Sequence, residues 1–144
     1  MKKLILTLFV LVIAIPTFLL AEDGHDHDHA TIKASHGGRI IEVGDEVAHL
    51  EWVHDPKTGK ATIYVMDGKG KTLGLADAIR LNLPATKKTE KTQVVTRALN
   101  LKEGKASTFD AENAALKNEH LEGKISIKIK DKKYSANIPH DHDH

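Results

Sequence analysis

From Arg39 onward the chain is written in short runs where apolar and polar residues alternate. The last run is the plainest: Ile125, Ile127 and Ile129 face one way, and Ser126, Lys128 and Lys130 the other. A period of two marks a strand with one buried and one wet face. The same beat sets Ala48, Leu50 and Trp52 against His49, Glu51 and Val53, and Ile79, Leu81 and Leu83 against Arg80 and Asn82. Tyr134, Ala136 and Ile138 repeat it, and residues 39–43, 61–66 and 92–97 supply further strands. Turn chemistry separates the runs, most clearly in Gly44-Asp45, Asp55-Pro56-Lys57-Thr58-Gly59, Asp67-Gly68-Lys69-Gly70 and Asp131-Lys132. Asp110 is placed to cap one short helix through 111–116, where Ala and Leu favour helix. Seven or eight strands at this spacing predict an all-β fold: an antiparallel, Ig-like β-sandwich, with a small open barrel as the alternative. One-sided alternation argues against a buried parallel sheet.

The first residues have another pattern. Lys2-Lys3 precede a run from Leu4 to Ile15 that is apolar except for Thr7, and Pro16 to Ala21 lead to a small residue before Glu22. This order is that of a secretory signal cleaved after Ala21, which implies a periplasmic or secreted protein. An uncleaved anchor is the alternative, although the stretch is marginal in length for a span. The expected division is a signal at 1–21, a flexible His/Asp-rich arm at 22–34, a sandwich at 35–138 and a His/Asp-rich tail at 139–144. Once the signal is gone, no stable membrane insertion is expected.

Six of the ten histidines fall in two matching tracts. Near the start His25, His27 and His29 alternate with Asp26 and Asp28; at the end His140, His142 and His144 alternate with Asp141 and Asp143. Neutral imidazole is a common ligand for divalent transition metals, and the aspartates add oxygen ligands and offset the charge of a bound cation. The structural alternative is a pair of solvated polar tails.

Composition narrows the chemistry. The formal charge of +1 becomes slightly negative without Lys2 and Lys3, so no basic stripe points to nucleic acid. With no cysteine, the core must hold the fold without disulfides, and thiolate chemistry is absent. Met66 is the only methionine beyond the signal, which argues against a Met-rich copper(I) site. Zn²⁺, Cu²⁺, Ni²⁺ and Co²⁺ remain. The chain has no His-Glu-x-x-His motif, nucleophile elbow or glycine-rich phosphate loop. An enzyme is therefore not expected.

A second candidate site lies in Ser35-His36-Gly37-Gly38-Arg39 and His49-Leu50-Glu51-Trp52-Val53-His54. His49 and Glu51 share a strand face roughly 7 Å apart, at two strand rises. The glycine pair gives the backbone freedom to swing His36 towards them. These three side chains are the expected ligand set on the folded domain, with His54 in reserve. The alternative makes His36 a turn residue and Glu51 a solvated charge. Trp52 is expected in the sandwich core, and His120 on the surface.

The motifs His36-Gly37-Gly38, Gly44-Asp45, Leu50-Glu51 and Ile63-Tyr64-Val65-Met66-Asp67 resemble a periplasmic module. That module stands at the N-terminus of some heavy-metal efflux adaptor proteins and also as separate exported proteins. The resemblance covers about residues 35–75 and fades beyond. It implies a metal-handling module on a β-sandwich. At 144 residues the chain is not expected to include the helical hairpin and barrel domains of a pump adaptor, and an accessory role is the expectation. The functional expectation is a metal buffer, scavenger or chaperone linked to metal efflux or uptake, partnered by metal ions and a transporter or efflux adaptor. The alternative is a non-catalytic structural or interaction module of an envelope complex.

Overall fold

The computed structural model describes residues 32–84 and 91–139. The signal, the tract holding His25, His27 and His29, and the tract holding His140, His142 and His144 lie outside the described residues.

Among the described residues nine strands form in chain order: β1 Arg39–Val43, β2 Ala48–Asp55, β3 Lys60–Asp67, β4 Arg80–Leu83, β5 Thr92–Val95, β6 Arg97–Leu99, β7 Thr108–Glu112, β8 Lys124–Ile129 and β9 Lys132–Asn137. They make two antiparallel sheets, ordered β1-β2-β3-β7-β6 and β5-β4-β8-β9. Apart from β1, the orders β2-β3-β7-β6 and β4-β8-β9 match A-B-E-D and C-F-G of an Ig domain, so the sandwich has Ig-like connectivity. The alternating apolar sets meet between the sheets. Leu50, Trp52, Ile63, Val65 and Phe109 from one sheet pack with Leu81, Leu83, Ile125 and Ile127 from the other, all buried. Trp52 is a core residue, as its place in the alternation predicts.

Two expectations need correction. The run 92–97 is not one strand: it divides at Thr96, with β5 in one sheet and β6 in the other. Thr96 is buried, and its hydroxyl bonds both the N–H (3.1 Å) and the C=O (3.0 Å) of Ile79. A side chain that satisfies a neighbouring backbone in this way lets the chain change sheets without leaving buried polar groups unpaired. Asp110 does not cap a helix. It lies in β7, where Phe109 and Ala111 are buried in strand alternation, and its carboxylate pairs with Arg97 at 2.6 Å. The cap is Asn113, whose side chain accepts from the N–H of Ala115, and it opens a four-residue 3₁₀ turn, Ala114–Lys117. Helix propensity lost to a strand partner on each side of β7.

Candidate functional site

The outward face of β2 carries His49, Glu51 and Val53, and the segment from Ile32 to Gly38 runs across it. Glu51 is consequently buried, with 1% of its surface exposed, which overturns the alternative reading of it as a solvated charge. Its carboxylate collects four donors. Oε2 accepts from the Ser35 N–H (3.0 Å) and His36 Nδ1 (2.8 Å); Oε1 accepts from the N–H groups of His36 and Gly38, the latter at 3.1 Å. Burial alone would push the Glu51 pKa up. The His36 side chain and the three backbone N–H groups overcome it and hold the pKa at about 2, against an ordinary 4.5. Glu51 is therefore an anion whose charge is spent on holding the incoming segment.

The two glycines have separate duties. Gly37 takes a φ of +77° with open space around its missing side chain, so backbone conformation alone selects glycine there. At Gly38 a Cβ would stand 2.5 Å from the Trp52 carbonyl oxygen and 2.8 Å from Val53 Cγ2, so close approach selects it. Together they fold His36 back so that its main chain and its ring reach the same carboxylate.

The His36 ring is fixed on two sides. It bonds Glu51 through Nδ1, and it stacks on Tyr64 with centroids 3.6 Å apart and planes 4° from parallel. Alternation along the chain did not bring Tyr64 into the site; its signal was the β2–β3 register, which sets Glu51 directly opposite Tyr64. An ionised carboxylate carries no proton, so Nδ1 must be the donor. In the neutral ring the lone pair then resides on Nε2. The side chain is 45% exposed.

His36 and Glu51 thus come together, and His49 does not join them. His49 is nearly buried, with Nδ1 3.4 Å from the Asp67 carbonyl oxygen. Asp67 organises the next loop, its carboxylate accepting from the N–H groups of Lys69 and Lys71 at 2.9 Å each. His54, the reserve ligand, bonds the Leu116 carbonyl through Nε2 at 2.6 Å and ties β2 to the 3₁₀ turn. His120 is exposed. Among the described residues no three His, Cys, Asp or Glu side chains are grouped to hold a metal ion. Chemically, the cluster offers one pre-oriented imidazole backed by a carboxylate, seven residues along the sequence from His29.

Comparison of the chain with models of protein families, with curated proteins and with solved structures gave no match.

Proposed function

We propose that this chain is an exported transition-metal-binding protein, a buffer or chaperone linked to metal efflux or uptake, in which His36 anchors an ion that the His/Asp tracts capture. The observation that carries this reading is the Glu51–His36 pair. Metal-ligating histidines almost always donate their second ring nitrogen to a carboxylate or carbonyl, which fixes the tautomer and raises ligand basicity. Here Glu51 accepts from Nδ1 at 2.8 Å, and Nε2 is the nitrogen left to ligate. Glu51 moves from expected ligand to ligand support, and His49 drops out of the set. The remaining ligands come from His25, His27 and His29, a few residues upstream on the same arm, or from His140, His142 and His144. Weak, rapidly exchanging capture suits such tracts, because ordering each residue costs about 1–2 kcal/mol. The resemblance over 35–75 supports the same assignment.

The test is isothermal titration of the chelator-treated protein with Zn²⁺, Cu²⁺, Ni²⁺ and Co²⁺ in turn. Binding of more than one equivalent of at least one ion, with the tightest class lost in His36→Ala, is the expected result. Absence of binding by all four ions would favour the interaction-module reading.

A further inference from the structure

The sheet β5-β4-β8-β9 turns its outer face to solvent, and that face differs from its counterpart across the sandwich. On the first sheet, the outward carboxylates Asp110 and Glu112 are met by Arg97 and Lys60. On the second, Arg80, Lys124, Lys128 and Lys133 project, and no outward strand position carries a carboxylate. Asp77, at the rim, pairs with Lys128 at 3.4 Å and is the one counter-charge the face receives from a described residue.

Two further features give this charge a shape. The first is a ladder of side-chain hydrogen bonds that crosses all four strands. Arg80 donates to Gln93 Oε1 (3.0 Å), Gln93 to Asn82 Oδ1 (2.8 Å) and Asn82 to Ser126 Oγ (3.1 Å), which meets Ser135 Oγ at 2.9 Å. These bonds fix both amides, yet each amide retains hydrogen-bonding capacity beyond what the ladder uses. Arg80, Asn82, Gln93 and Ser126, with Lys128, Lys133 and the carboxylate of Asp77, line one depression of about 420 Å³, so its basic groups outnumber its single acid. The second feature is the register. Lys128 stands directly opposite Lys133, and like charges directly opposite in a sheet are destabilising. Asp77, paired with Lys128, offsets part of that repulsion, and a bound anion relieves what is left.

We propose that this face binds an acidic polysaccharide. Its carboxylates engage Arg80, Lys128 and Lys133, and its hydroxyls engage the Asn82–Gln93–Ser126 ladder. Among the described residues the outward strand positions of this face carry no aromatic side chain on which a neutral sugar ring would stack, so charge must supply the affinity. A flat anionic membrane would use the lysines but not the fixed amides in the depression. The proposal is independent of His36, which belongs to the other sheet's outer face.

The test uses the full chain in EDTA, to exclude metal bridging, with polygalacturonate as probe in affinity electrophoresis. Parallel arms contain dextran and phosphatidylglycerol vesicles. Polygalacturonate should retard the protein, less so as salt is raised, and dextran should not. Lys128→Gln with Lys133→Gln should weaken binding about tenfold; it removes a like-charge pair together with the exposed Lys128–Asp77 pair, two small and opposed effects, so it should melt close to the parent. Asn82→Ala with Gln93→Ala should weaken binding severalfold while the salt dependence is kept. Unchanged retardation in either double variant would overturn the proposal. So would vesicle binding as strong as polygalacturonate binding and insensitive to the amide substitutions, since that marks a membrane surface.

Discussion

His36 and Glu51 are fifteen positions apart in the chain and meet at 2.8 Å, ring nitrogen to carboxylate, under a segment that would otherwise leave the sheet. One carboxylate thereby does two things. It closes the entry segment over β2 through three backbone N–H groups, and it orients an imidazole that stays 45% exposed. Stability of the clasp and chemistry at His36 are coupled through Glu51, so substitutions there are informative on both.

Glu51→Gln should destabilise the fold by about 3 kcal/mol at neutral pH. The amide nitrogen cannot accept, so buried donors lose their partner along with the charge. Linkage gives the same figure: a pKa held at about 2 instead of 4.5 corresponds to about 3 kcal/mol. Because the folded pKa is depressed, this stability is fully present above the unfolded value. It is lost as pH falls from about 4.5 through about 2. Denaturant melts should therefore show the parent losing stability across that window, and Glu51→Gln losing distinctly less.

Gly37→Ala and Gly38→Ala should separate conformation from packing. At Gly37 the added methyl meets open space and only the positive φ opposes it, a cost of about 1 kcal/mol. At Gly38 the methyl collides with the Trp52 backbone, so the segment must lift and the bonds to Glu51 go with it. Gly38→Ala should thus cost clearly more, and should speed amide exchange at Ser35 and His36, read by exchange mass spectrometry. Equal costs would mean that close approach does not select glycine at the second position.

How much of this could be read from the chain differs between scaffold and site. Period-two alternation around Leu50, Leu81 and Ile127 was enough for the sandwich, since the inward positions are the buried ones. Thr96 and Asp110 escaped it, because where a chain changes sheets, or a strand outcompetes a helix, depends on distant partners. At the site the shared face of His49 and Glu51 was legible, and so was the freedom of Gly37. The burial of Glu51 was not. Alternation marks it as outward-facing, and it is buried only because residues 32–38 return over that face. Tyr64 became visible as a ring platform only with the β2–β3 register.

The His/Asp tracts should dominate metal stoichiometry. Replacing His25, His27, His29, His140, His142 and His144 with Ser should remove most bound equivalents without lowering the melting temperature of the metal-free protein. Retention of every equivalent would assign the ions elsewhere. In the parent, affinity should fall steeply between about pH 7 and 5.5, since free imidazole titrates near 6.5 and protons compete with the metal. Unchanged affinity at pH 5 would indicate carboxylate-dominated ligation.

The proposed role of Glu51 as ligand support, rather than ligand, leads to the sharpest comparison. With the tracts intact, His36→Ala should abolish the tightest class of binding, because it removes the imidazole that the Glu51 carboxylate pre-orients. Glu51→Gln keeps that imidazole but weakens its orientation and basicity, and losses of about 10–100-fold in affinity are usual for such outer partners. Tyr64→Leu removes the stacking platform and leaves both polar groups, so its effect should be smaller than that of Glu51→Gln. The expected order of affinity is therefore parent, Tyr64→Leu, Glu51→Gln and His36→Ala, measured by competition with a chromogenic chelator. Were Glu51 itself bound to the ion, its carboxylate would have to release Ser35 and Gly38. Metal would then speed amide exchange at those two positions. Slower exchange on metal addition supports the arrangement in which His36 ligates and Glu51 holds it in place.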